Sequence, residues 1–260
     1  MDNNKHIFSL FSPNISLNFT SSVNMVGELL CIKDAQLWHR IINILRLKSN
    51  EPFIVFNSKI SITLSLKEKT LDTKNIIYGV VLNIQAVTPL NPKIILCVGL
   101  LKKESFESVI YYAGQMGVTE VYPILTGKIN RRWWSLHEQA RLYKILISAC
   151  EQAKNFYVPK LHEPVLFSHL ENITRQELNI LNICLDQEGA SASTLVKILS
   201  GHSDTSILLA FGPEGGFTEQ EKTFLISHSF NFYSLTPTIL RTQEAVAVGV
   251  GFIRSLLNTK

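Results

Sequence analysis

Apolar and polar positions alternate from Ile60 to Leu66, with Ile60, Ile62, Leu64 and Leu66 set against Ser61, Thr63 and Ser65. A period of two predicts a half-buried strand. Pro52–Phe56 and Ile76–Ile84 are β-branched and aromatic runs of strand length. Up to about residue 88 the chain therefore reads mostly as β-structure, a small domain of barrel type. The segment Thr88-Pro89-Leu90-Asn91-Pro92 ends it, because two prolines this close continue neither a central strand nor a helix.

After Pro92 the period changes. Ile94–Val98 reads as a short buried strand, and Phe106, Val109, Ile110 and Ala113 recur at helical spacing. Gly117 fits the left-handed cap that ends such a helix. Val118–Leu125 predicts a strand and Leu136–Lys154 a helix. Ile180–Leu185 and Ser206–Phe211 predict further buried strands. Strand–helix alternation of this kind predicts an α/β region, a mostly parallel sheet with helices on both faces.

Two loops concentrate the unusual residues. Gly212-Pro213-Glu214-Gly215-Gly216 follows the strand ending at Phe211 and precedes a helix opened by Thr218, with Glu221 three residues on as a capping box. In parallel sheets ligands sit at the carboxyl ends of strands, and glycines there let backbone approach a ligand. Glu214 adds a carboxylate for a cation, a ribose hydroxyl or an amide. A tight turn with no ligand is the plainer reading, and one glycine would suffice for it; three glycines, a proline and an acid favour a site. The second loop, Leu235–Ala245, lies between a short strand at Asn231–Leu235 and a last apolar helix rich in small residues (Ala245, Ala247, Gly249, Gly251). Such residues imply close packing, at a dimer interface or in a tight core. Arg241 is the lone cation of this loop, at the helix end where a cation does not compensate the dipole.

Composition narrows the class. Apolar residues are 46% and charged residues 18% of the 260, ordinary for a globular chain. The longest apolar stretch, Ala245–Ile253, is too short to span a bilayer, and the polar N-terminus does not suit a signal peptide. Cys31, Cys97, Cys150 and Cys184 are scattered with no C-x-x-C pair. They read as small core residues of a reduced, cytoplasmic chain, with no metal site. Residues 1–170 hold 19 Lys+Arg against 12 Asp+Glu, and residues 171–260 hold 6 against 9, which together give the net +4. A basic front part suits a polyanionic partner, and a solvated surface would read the same way. Lys128, Arg131, Arg132, Trp133 and Trp134 mix cations with aromatics, a combination suited to single-stranded RNA, although a packed Trp pair with a basic edge fits equally. No G-x-G-x-x-G, Walker loop, H-E-x-x-H or G-x-S-x-G occurs.

Gly212–Thr218 with Glu221, followed some 20 residues later by Leu240-Arg241-Thr242 and Ala245, resembles the ribosomal small subunit RNA methyltransferase E family of the SPOUT class. His39 with Leu45–Lys48, Met116–Glu120, and Arg141 with Glu151-Gln152 resemble further segments of that family. Gln243-Glu244 departs from it, moving a carboxylate one position along the helix start. The resemblance implies an N-terminal PUA-like RNA-binding β-barrel over residues 1–88 and a SPOUT α/β domain with a deep trefoil knot over residues 92–260. It implies a cytoplasmic homodimer, with no membrane or metal, that uses S-adenosylmethionine (SAM) to methylate N3 of a uridine in 16S rRNA of the 30S subunit. On that pattern SAM is held by Leu209, Gly212, Glu214, Gly215, Gly216, Leu235, Leu240 and Thr242. Arg241 stabilises the uracil anion, and Glu214 or Glu244 takes the proton. Arg40, Arg46, Lys48, Arg131 and Arg132 contact RNA. Two other readings remain: a SPOUT enzyme acting on tRNA or a ribose hydroxyl, and an RNA-binding assembly factor without turnover.

Overall fold

A computed structural model describes residues 7–15, 25–129, 135–175, 179–201 and 205–257. The chain divides into two compact units, Met1–Thr88 with Cys150–Val158, and Pro89–Ala149 with Pro159–Lys260.

The first unit is built on a sheet of β1 (Phe8–Phe11), β2 (Leu29–Lys33), β3 (Pro52–Phe56), β4 (Ile60–Leu66) and β5 (Ile76–Ala86), in the order β1-β3-β4-β5-β2. Its ladders are antiparallel except β1 on β3, which is parallel. The apolar set of β4 is buried as its alternation requires. Ser61 is buried too, so only the later part of β4 has the half-buried face that its pattern predicts. Cys31 corrects the reading of all four cysteines as core residues: β2 alternates exposed and buried positions, and Cys31 falls on its exposed face. Cys97, Cys150 and Cys184 are buried, and burial pushes their thiols up, Cys150 to about 12, which leaves them protonated and unreactive.

The sequence pattern had not separated a helix in this unit. α1 (Ala35–His39) is capped by Asp34, whose carboxylate accepts from the Leu37 N–H at 2.9 Å, and it runs on as a π-turn over Arg40–Ile44. Leu37 and Ile41 point from it into the core formed with Leu10, Phe53, Ile62 and Leu64.

The second unit contains β6 (Ile94–Gly99), α2 (Lys103–Gln115), β7 (Glu120–Leu125), α3 (Leu136–Ala153), β8 (Lys160–Leu161), β9 (Val165–Leu166), α4 (Leu170–Arg175), β10 (Ile180–Ser191), α5 (Ala192–Leu199), β11 (Ser206–Phe211), α6 (Glu219–Ser227), β12 (Asn231–Ser234) and α7 (Thr242–Leu257). The last residues of α3, from Cys150 on, fall in the first unit. The strand order is β12-β10-β11-β6-β7-β8, with β9 also on β7, and every ladder among the described residues is parallel. Alternate residues of the central strands serve two layers. Ile95, Cys97, Leu208 and Ala210 pack with Phe217 and Leu225 on the α6 side. On the other side Gly249 of α7 packs so closely that a Cβ there would collide with Leu185 Cδ1 and press on Leu235 and Phe211. The fold is thus mixed α/β, with a mainly antiparallel N-terminal sheet and a parallel C-terminal one.

α7 is anchored by Arg254. Its guanidinium donates to the carbonyls of Pro92 at 2.6 Å, Gly117 at 2.6 Å and Met116 at 3.2 Å. Two of these carbonyls end α2, whose cap glycine, Gly117, has φ +65 as predicted. Burial pulls the Arg254 guanidinium down to about 10, so it remains charged at neutral pH. Among the described residues no helix is long and apolar enough to cross a membrane, and no cluster of three or more His, Cys, Asp or Glu could hold a metal ion.

Candidate functional site

Parallel strands leave their carboxyl ends on one edge of the sheet, where the loops that follow them meet. A cavity of about 440 Å³ opens there, beyond β10, β11 and β12. That volume lies within the roughly 300–1,000 Å³ of small-molecule sites. Gly212, Glu214, Gly215 and Gly216 form one wall. Leu235, Leu240, Arg241 and Thr242 form the facing wall. The structure therefore brings together the two loops that the sequence singled out.

The glycine loop is held by its neighbours at several points. A Cβ on Gly99, at the end of β6, would lie 2.5 Å from the Pro213 nitrogen and 2.6 Å from its Cδ, so the prolyl turn rests directly on bare backbone. The Gly216 N–H donates to the Pro213 carbonyl at 2.8 Å, closing the turn, and Gly216 has φ +68, which favours glycine. The Glu214 carboxylate accepts from the Lys102 N–H at 3.0 Å, at the start of α2. The capping box is present: Glu221 accepts from the Thr218 N–H at 2.8 Å, and Thr218 Oγ1 accepts from the Glu221 N–H at 3.2 Å. Glu221 also accepts from the Gly127 N–H at 2.7 Å, and Lys128 Nζ donates to the Phe217 carbonyl at 3.0 Å. The loop after β7 is thereby fastened to the glycine loop. Thr242 Oγ1 donates to the Gly212 carbonyl at 3.1 Å and joins the two walls of the cavity.

Other predicted residues fall elsewhere. Leu209 is fully buried in the middle of β11 and does not line the cavity, so it can act on a ligand only through the strand it builds. Glu244 is exposed outside the cavity lining and accepts from Gln243 Nε2 at 3.2 Å; the inward positions of the first α7 turns are Thr242 and Ala245. The Arg40 guanidinium, expected to contact RNA, forks onto Glu151 at 2.8 and 2.6 Å within the first unit. The Glu151 carboxylate pushes the Arg40 pKa further up, and the same side chain accepts from the Phe11 N–H at 2.7 Å. Arg46 and Lys48 are exposed in the turn between the π-turn and β3. Arg131 and Arg132, with Trp133 and Trp134, lie outside the described residues. Of the two explanations for small residues on the last helix, the tight core applies at Gly249.

Sequence reasoning missed Asp186, Gln187, Tyr233 and Ile239, which also line the cavity. The signal for Asp186 was available: it is the first residue after a predicted buried strand ending at Leu185, the position where a parallel sheet places its ligand contacts. Charged side chains at the cavity are Asp186, Glu214 and Arg241; apolar ones include Leu185, Phe211, Tyr233 and Leu240. Among the described residues no carboxylate pairs with Arg241. A cavity with apolar walls, backbone-lined turns and one guanidinium unpaired with any described carboxylate can enclose a flat nucleoside and face an anion.

The chain is 27% identical over 164 residues to ribosomal RNA small subunit methyltransferase E of Rickettsia conorii, covering 62% of this chain and 64% of that protein. It is 28% identical over 165 residues to the protein of the same name from Synechocystis, covering 63% of this chain and 54% of that protein. The matched segments thus span less than two thirds of either relative's length. In fold it is similar to the ribosomal RNA small subunit methyltransferase E of Neisseria gonorrhoeae, solved bound to S-adenosyl methionine, with a TM-score of 0.78 at 21% identity, covering 96% of this chain and 98% of that one. Residues 88–254, well over half the chain and all of the cavity's walls, match the RNA methyltransferase domain model, and the chain belongs to that family.

Proposed function

We propose that the chain is a SAM-dependent RNA methyltransferase that modifies N3 of a uridine in 16S rRNA of the 30S subunit. The observation that carries this reading is the meeting of the glycine loop and the Leu235–Ala245 loop around one cavity. The family membership, the relatives' names and the SAM-bound neighbour of the same fold support it.

The residues present fit SAM. Gly212, Gly215 and Gly216 offer backbone without side chains to obstruct it, and a Cβ on Gly216 would face open space. Leu235 and Leu240 offer apolar contact for an adenine, and Thr242 fixes the spacing of the walls. When bound, SAM supplies an electrophilic methyl group on its sulfonium. Uridine N3 is a weakly acidic imide and must lose its proton to become a nucleophile. Arg241 lowers the cost of that step by facing the developing uracil anion with an unpaired positive charge. In this reading Glu214 takes the proton; of the two carboxylates expected for that role, it lines the cavity and Glu244 does not. The first unit serves as a PUA-like RNA-binding domain through Arg46 and Lys48, and the chain acts as a cytoplasmic homodimer with a trefoil knot in its second unit.

Incubation with methyl-labelled SAM and 30S subunits lacking the modification, followed by nucleoside mapping, tests the reading. Label in 3-methyluridine of 16S rRNA is expected. Label in tRNA or on a ribose hydroxyl, or SAM binding without transfer, would replace it with another SPOUT activity or with an assembly factor.

A further inference from the structure

We propose that Asp186, carried on a bulge within β10, binds the ribose hydroxyls of the nucleoside ligand in the cavity. The proposal rests on the reading of the cavity as a SAM site and adds a binding residue to it. β10 pairs with β12 through Leu185, opposite Tyr233, and its next paired residue, Ala190, lies opposite Tyr233 again. Asp186, Gln187, Glu188 and Gly189 therefore leave the ladder and return to the same partner. Bulges of this kind re-aim side chains, and they concentrate beside active sites.

Each part of the bulge is secured. Gly189 lies so close to the backbone of Phe232 and Tyr233 that a Cβ would stand 2.5 Å from the Phe232 carbonyl carbon, which makes glycine obligatory there. Glu188 Oε2 pairs with Lys222 Nζ at 2.7 Å, tying the bulge to α6, the helix that follows the glycine loop. That contact pushes the Lys222 ammonium up and pulls the Glu188 carboxyl down. Asp186 Oδ1 accepts from the Glu188 N–H at 3.1 Å, which sets the direction of the carboxylate. Among the described residues Oδ2 accepts no hydrogen bond, and the half-buried side chain lines the cavity. The other cavity carboxylate, Glu214, has an oxygen engaged by the Lys102 N–H.

A carboxylate held in one direction suits a directional hydrogen bond from O–H donors. A vicinal diol supplies two such donors at neighbouring positions. A sulfonium, a diffuse charge with no donor, would not require the carboxylate to be oriented.

Asp186→Asn retains the shape of the side chain and removes the charged acceptor. Calorimetry would compare SAM, S-adenosylhomocysteine and 5′-methylthioadenosine, which share the ribose and differ in charge. All three are expected to bind about tenfold or more weakly to the variant, by similar factors, with the melting temperature unchanged. The 2′-deoxy analogue of S-adenosylhomocysteine, which keeps one of the two hydroxyls, should lose less on substitution than S-adenosylhomocysteine does, as coupled partners do in a double-mutant cycle. Weakening of SAM alone would mean that Asp186 balances the sulfonium, and no weakening would mean that it touches no ligand; either overturns the proposal. If the parent protein binds none of the three, the SAM reading fails first.

Discussion

The hydroxyl of Thr242 donates to the carbonyl of Gly212, so the first residue of α7 holds the first residue of the glycine loop. Both residues line the cavity. Thr242→Val keeps the side-chain shape and leaves that carbonyl without its donor. We expect a loss of stability of about 1 kcal/mol and a several-fold weaker SAM affinity. A thermal melt beside a calorimetric titration checks both, and a changed melt with unchanged affinity would confine the bond to stability.

Gly99 and Gly215 separate support of the loop from contact with the ligand. Gly99→Ala places a methyl against the backbone nitrogen of Pro213 and should destabilise the protein by roughly 1–3 kcal/mol, because backbone cannot yield as a side-chain tip can. A Cβ at Gly215 comes within 3.2 Å of the Lys128 Cβ, a tight contact that a shift of a few tenths of an ångström relieves, so Gly215→Val should fold and yet fail to bind SAM. A folded Gly215→Val protein with parental affinity would remove this loop from the site.

Arg241→Ala should lower single-turnover methyl transfer by roughly a hundredfold while changing SAM affinity little, because the anion that it faces forms in the transition state. A parental rate in that assay would exclude Arg241 from the chemistry.

The cations of the first unit divide into two kinds. Neutralising the exposed Arg46 and Lys48 together should weaken 30S binding and reduce the slope of log affinity against log salt by about 2, with SAM affinity unchanged. Arg40→Met should act on stability instead. It leaves the Glu151 carboxylate, 9% exposed, without its guanidinium, at a cost of about 1–3 kcal/mol once the partial exposure of Arg40 is discounted. An unchanged salt slope in the double variant would withdraw the first unit from RNA binding.

Glu120 predicts a pH dependence. Its carboxyl is held below the ordinary 4.5, first by the hydrogen bond with His162 at 2.6 Å and further by the Tyr122 hydroxyl, against the opposing effect of burial. A carboxyl lowered by folding contributes stability above its unfolded pKa and loses it as pH falls through the folded value. Melts from roughly pH 7 down to pH 3 should therefore show the parent losing stability more steeply than Glu120→Gln below about pH 4.5. The pair is partly exposed, so the difference should be about 1 kcal/mol or less. Equal slopes would show that the contact adds nothing to stability.

Much of this architecture was legible in periodicity. The alternation of Ile60–Leu66 and the helical spacing of Phe106, Val109, Ile110 and Ala113 report burial directly, and both elements form where the pattern placed them. The helix at Ala35–His39 was less visible, because a single turn carries too few apolar positions to reveal a period. The two cavity loops declared themselves through residue types with special backbone or charge properties. The partner of Arg40 was not legible, because Glu151 is far away in sequence and a basic residue in a basic region gives no sign of the carboxylate it pairs with. Glu244 shows another limit, since the direction of a side chain at a helix start depends on a rotation that composition does not encode.

The order of strands in the second sheet bears on how the chain acquires its structure. β6 lies between β7, which follows it closely, and β11, so that Ile94 stands beside Ile207. During synthesis one edge of β6 must remain without its native neighbour until the chain has passed Phe211, with buried-type residues such as Leu96 and Val98 waiting on that edge. Such long-range parallel pairing is slow and exposes sticky edges in the interval. A ribosome stalled before Ser206 would therefore present an incomplete sheet, and nascent chains cut short there should be the ones that chaperones retain.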